Sequence, residues 1–130
     1  MAFRIASSLA PKPIKAVKRE PYLQWVRSLP CIVTGRMGVE AAHISTGNMR
    51  YGHAGRGKSQ KADDRWALSL SPEQHRIQHS MNEMTYWRAV GINPYVAALV
   101  LHGMYCSKAT PEDAATVMMV TGFGALENSL

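Results

Sequence analysis

Three histidines carry the residue types and spacing for chemistry. His75 and His79 lie four apart in His75-Arg76-Ile77-Gln78-His79, and His43 ends the run Val39-Glu40-Ala41-Ala42-His43. Histidines four apart on a helix project from one face, and neutral imidazoles on one face can ligate a divalent metal. Two solvent-facing histidines satisfy the same spacing. An imidazole titrates near neutral pH, so a histidine such as His43 can act as a general base; a core histidine bonded to a backbone carbonyl fits the pattern equally. Between these segments, residues 46–62 hold Gly47, Gly52, Gly55 and Gly57 together with Arg50, Arg56, Lys58 and Lys61. Glycines let a backbone approach a ligand closely, and four cations among them point to phosphates. His53, in the same stretch, reads as a phosphate contact or as a residue without a role.

The charge balance agrees with a polyanionic partner. Fifteen Lys and Arg face nine Asp and Glu, for a net charge of +6. Residues 1–76 hold thirteen basic and five acidic groups, against two and four in residues 77–130. A basic front half suits nucleic acid, because each neutralised phosphate releases counterions; a solvated basic surface is the plain alternative. The 130 residues make about one domain, and 46% hydrophobic with 18% charged residues is a globular composition. Tyr95 to Leu101 is the longest apolar run, too short to span a bilayer, so no membrane partner is expected. Cys31 and Cys106 make no disulfide framework, which favours a reducing compartment, the cytoplasm.

These side chains need positioning elements. Residues 1–19 form a basic arm with Arg4, Lys12, Lys15, Lys18 and Arg19, broken by Pro11 and Pro13. Pro21 opens a short helix that ends at Leu29-Pro30, and Cys31 to Gly35 reads as a short strand or knuckle turn. Val39 to Ser45 reads as a strand with Val39, Ala41, His43 and Ser45 on one face. Trp66 to Leu70 reads as a second strand, with Trp66, Leu68 and Leu70 facing the core. Ser71-Pro72-Glu73-Gln74 predicts a helix start with a capping box, and the helix it opens bears His75 and His79. Further helices follow over residues 82–90, with Met84, Trp87 and Val90 as the buried stripe, and over 95–102 and 112–120. The third of these four helices is apolar nearly all round, which means deep packing or a homodimer interface. The tail from Thr121 is expected to be loose.

The order of these pieces resembles the ββα-metal, or His-Me finger, nucleases of the HNH type. It is most similar to small phage and bacterial proteins related to the phage recombination-enhancement nuclease. The matching pieces are Leu29-Pro30-Cys31, Val39-Glu40-Ala41-Ala42-His43, Gly57-Lys58, Lys61-Ala62-Asp63-Asp64-Arg65-Trp66, Leu68-Ser69-Leu70 and His75-Arg76-Ile77-Gln78-His79. They continue in Asn82-Glu83, Tyr86-Trp87 and Gly91-Ile92-Asn93-Pro94. The resemblance implies an α+β fold with a ββα-metal core at residues 20–105, a basic arm before it, and a C-terminal helix and tail, 106–130, packed on the same domain. It implies a metal-dependent endonuclease hydrolysing phosphodiester bonds in DNA, in a phage or prophage protein of a bacterial host. His43 would be the general base taking a proton from water. His75 and His79 would hold one divalent ion (Mg²⁺, Mn²⁺ or Zn²⁺) that stabilises the scissile phosphate and the leaving 3′ oxygen. Arg65 or Arg76 would clamp a phosphate, with Arg50, Arg56, Lys58 and Lys61 along the backbone.

Two departures from the family pattern bear on that expectation. Many relatives place a metal ligand immediately before the catalytic histidine, where this chain has Ala42. Ligation then rests on His75, His79, water, phosphate and Asp63 or Asp64, unless Asp64 instead orients His43 as part of the catalytic set. Relatives also carry four structural zinc ligands at positions that here are Cys31, Thr34, Ser71 and Gln74. One thiolate does not make a tetrahedral site, so the structural zinc is expected to be lost and Cys31 to pack as a small hydrophobe. These departures motivate the alternative, a non-catalytic DNA-binding protein on a decayed nuclease scaffold.

Overall fold

A computed structural model describes residues 18–55 and 62–122. Arg56, Lys58 and Lys61, most of the basic arm and the end of the tail lie outside the described residues. The elements run α1 (Glu20–Arg27), β1 (Glu40–His43), β2 (Ala67–Leu70), α2 (Pro72–His79), α3 (Glu83–Val90), α4 (Pro94–Cys106) and α5 (Pro111–Thr121), with short 3-10 turns at Met49–Tyr51 and Asp64–Trp66. This is an α+β arrangement: a two-stranded antiparallel sheet enclosed by helices. No single helix among the described residues is long and apolar enough to cross a membrane.

The sheet is small and its register is specific. Glu40 pairs with Leu70, Ala41 with Ser69, Ala42 with Leu68 and His43 with Ala67, and Ile44 N–H extends the ladder to the Trp66 carbonyl at 3.0 Å. Ala42 is only 1% exposed and joins Leu68, Leu70, Trp87 and Leu101 in the core. β2 is buried at all four positions, not on one face alone as the alternation predicts. Ser69 can sit there because its hydroxyl donates to the Pro30 carbonyl at 2.7 Å.

Local chemistry sets the helix boundaries. Ser71 caps α2 by accepting from Gln74 N–H at 3.2 Å, but Gln74 does not close a capping box; its Oε1 accepts from the Tyr86 hydroxyl at 2.7 Å. Asn82 and Asn93 cap α3 and α4, and Gly91 ends α3 in the left-handed conformation. α5 opens with a full capping box between Thr110 and Asp113. The buried residues of α3 are Tyr86 and Trp87, while Met84 and Val90 are only partly buried. α4 runs four residues past the predicted end at His102, so that residue lies inside the helix and packs its ring edge-on to Tyr22 at 4.9 Å. Leu99 and Val100 remain exposed, while α5 inserts Ala114 and Met118 into the same core and leaves Met119 outside.

Within the glycine-rich, cationic stretch at residues 46–62, the structure describes 46–55 and 62. Asn48 and His53 form a β-bridge around the first 3-10 turn. His53 is buried, at 1% exposure, and its ring stacks on Trp66 at 4.6 Å. Its Nδ1 accepts from Gly55 N–H at 2.8 Å and its Nε2–H donates to the Ile44 carbonyl at 2.6 Å. His53 is therefore a core strut; it is not a phosphate contact.

Burial holds His53 and His102 below the ordinary histidine pKa. The native state then binds fewer protons than the unfolded chain once the pH falls below about 6.5, so stability is lost toward acid. The denaturant midpoint should fall between about pH 7 and about pH 5, and fall less in His53→Gln. A wild-type midpoint that stays level or rises over that interval contradicts this assignment.

Candidate active site

β1, α2 and α1 place their side chains around one cleft of about 290 Å³. It is lined by Leu23 and Arg27 from α1, by Ala41, His43 and Ser45, by Ala62, and by His75 and His79 from α2. The strand alternation that buries Ala42 turns Ala41, His43 and Ser45 toward this opening. The three imidazoles thus face one space although 32 residues separate His43 from His75 in the chain.

His43 is oriented by a carboxylate. Its Nε2 lies 2.7 Å from Asp64 Oδ1. Asp64 is 8% exposed, and its second oxygen accepts from the backbone N–H of Arg19 at 2.6 Å. Both oxygens are engaged, which suits Asp64 to hold an imidazole. In the neutral form of His43 the proton is on Nε2, and Nδ1 keeps the lone pair that a general base needs. Asp63 acts on the backbone instead. Its Oδ1 accepts from Arg65 N–H at 2.9 Å and from Arg19 Nε at 3.0 Å, capping the 3-10 turn that carries Asp64. The start of α1 is thereby tied to the same carboxylate pair.

His75 and His79 face each other with their Nε2 atoms 3.0 Å apart. With metal–nitrogen bonds of about 2.1 Å, that separation subtends close to a right angle at a shared cation, as between neighbouring ligands of an octahedral ion. Glu40 Oε1 accepts from His75 Nδ1 at 2.9 Å, which leaves His75 Nε2 as the atom with the lone pair. The two imidazoles are close enough to share one divalent ion. Among the described residues, no three His, Cys, Asp or Glu side chains form a ready-made metal cage. Ala42 cannot add a ligand, because its side chain starts into the core.

Two acidic residues hold parts of the site in place; both lie in the motif pieces, but the sequence assigned neither a role. Glu40 sits at the outer end of β1, and only the pairing of Glu40 with Leu70 brings it beside α2. Glu83 accepts from Ser45 N–H at 3.0 Å and Thr46 N–H at 2.8 Å, fixing the backbone just after His43. Tyr95 adds a hydroxyl bond to the Thr46 carbonyl at 2.8 Å, and burial raises its own pKa to about 12.

The predicted cations divide. Arg65 does not face the cleft: it donates to the Gly52 carbonyl at 3.2 Å and lies over the Trp66 ring at 4.9 Å. Arg76 borders a second opening against His75 and His79. Arg50 is exposed on the first 3-10 turn. Arg27, absent from the sequence expectation, lines the cleft itself.

Cys31 packs in the hydrophobic core, as expected of a small hydrophobe. Burial pushes its thiol pKa up, but bonds from Thr34 and from the Ser71, Thr34 and Val33 backbone outweigh it and lower the value overall. Thr34 N–H points at Sγ from 3.4 Å.

The chain belongs to the family described as a protein of unknown function, DUF968, whose model matches residues 7–104. That span contains every residue of the cleft. No curated protein and no solved structure matches the chain.

In ¹⁵N NMR, neutral His43 should be the Nε2–H tautomer and neutral His75 the Nδ1–H tautomer, and Glu40→Gln should disturb His75 and its partner His79 but not His43. The opposite tautomer at either residue contradicts the hydrogen-bond assignment.

Proposed function

We propose that this cleft is the active site of a divalent-metal-dependent DNA endonuclease of the His-Me finger type. The observation that carries the reading is the convergence of His43, bonded to Asp64, on the paired imidazoles of His75 and His79. The succession β1, β2, α2 supports it, since this is the strand–strand–helix order of the ββα-metal core. The resemblance of the motif pieces to the His-Me finger nucleases and the basic front half of the chain support DNA as the substrate.

Phosphodiester hydrolysis needs an activated nucleophile and positive charge where negative charge develops. His75 and His79 would hold a divalent ion, which would supply that charge at the phosphate and the leaving 3′ oxygen. His43 Nδ1 takes the proton from the attacking water. Asp64 keeps the ring in the tautomer that leaves Nδ1 free, and stabilises the imidazolium once the proton has moved. Glu40 holds His75 so that Nε2 faces His79. Leu23 and Ala62 give the cleft apolar walls, which strengthen the electrostatic interactions inside it.

The second reading is a DNA-binding protein that has lost catalysis. It draws on Ala42, which removes one protein ligand and leaves two histidines for the ion.

The purified protein should nick plasmid DNA with Mg²⁺ or Mn²⁺. His43→Ala should lower the rate by about 10²–10⁴-fold while DNA binding persists. His75→Ala and His79→Ala should each raise the metal concentration required. DNA binding without cleavage under any divalent ion would sink the nuclease reading in favour of the second.

A further inference from the structure

His75 and His79 are shared by two openings and so form a partition between them. On one side is the cleft with Arg27 and His43; on the other is an opening of about 370 Å³ bordered by Glu40, Pro72, Arg76 and Ser80. Both openings share the same two imidazoles, and each has one guanidinium among its lining residues: Arg27 from α1, Arg76 from α2.

We infer that a nucleic-acid strand crosses this partition, with the reacting phosphate at His75 and His79 and the flanking phosphates on Arg27 and Arg76. The inference rests on reading the cleft as a phosphodiester site, and adds the path of the strand and a residue, Arg27, in a helix outside the ββα unit. Arg27 is free to make such a contact. Its ion pair is with Glu20 Oε1 at 2.8 Å, and both side chains are well exposed, at 44% and 62%. A pair this open to water is held weakly, and a phosphate offers a guanidinium two charged acceptors in its place. Arg65 is already committed to the Gly52 carbonyl and the Trp66 ring. A mononucleotide carries one phosphate and satisfies one side of the partition. A strand carries phosphates on both sides of the reacting one, which is what two guanidiniums flanking one centre can use.

The test is the salt dependence of binding to a labelled single-stranded oligodeoxynucleotide, read without cleavage. Each phosphate contact contributes about 0.7 to the slope of log K against log salt for a single strand. Arg27→Gln and Arg76→Gln should each lower the slope by about 0.7, and the double variant by about twice that. Arg27→Lys should retain the wild-type slope. Lys108→Gln, which alters an exposed cation bordering a different cavity, should also leave it unchanged. An unchanged slope in Arg27→Gln, or a wild type that does not bind the strand, overturns the inference. Plasmid cleavage in parallel separates the two readings. The expected slopes without any cutting support the strand path and reject the nuclease; cutting with unaltered slopes does the reverse.

Discussion

The pairing of two four-residue strands is the constraint on which the site depends. Side chains alternate along a strand, so a slip of one residue would exchange the faces of Ala42 and His43. Ala42 would leave the core and His43 would enter it. The register that prevents this is fixed by Leu68 and Leu70, both fully buried, and by the Ser69 hydroxyl bonded to the Pro30 carbonyl. The same register sets His43 opposite Ala67, three residues after Asp64, and Glu40 opposite Leu70, just before the helix that bears His75. One ladder therefore brings both carboxylates to their imidazoles.

Around that ladder, two of the three cleft imidazoles have a carboxylate partner that decides which nitrogen keeps its lone pair. Asp64 acts on His43 and Glu40 on His75, while His53 is satisfied at both nitrogens and faces no ligand. This division explains why three histidines line the cleft and a fourth, close by in sequence, does not. Glu83 and Tyr95 grip the backbone at Ser45 and Thr46 from α3 and α4. Through them the later helices support the strand end where His43 lies.

Much of this was legible in the residues. Ser71-Pro72, Asn93-Pro94 and Thr110-Pro111 mark helix starts because a capping oxygen and a proline in the first turn are local devices that act without the rest of the fold. The shared face of His75 and His79 follows from helical spacing alone. The partners of these groups were less legible, because they come from pairings distant in sequence. Nothing local shows that Glu40 meets a residue 35 positions on, or that Glu83 reaches back 38 to Ser45. His53 looked like part of a polar, cationic loop because its burial depends on stacking against Trp66. Arg65 looked free because both of its partners, a carbonyl and an aromatic face, leave no mark in a sequence. The helix predicted over 95–102 fell short of the end of α4, and the ring of His102 packs against Tyr22 from α1, a contact distant in sequence.

The central claim is that one cation and one base share the cleft. Its most direct test is a crystal structure with Mn²⁺ located by anomalous scattering. The account requires a single ion bonded to the Nε2 atoms of both His75 and His79, with the His43 ring across the cleft from it. An ion bound elsewhere on the chain, with that imidazole pair still joined by its own hydrogen bond, would contradict it.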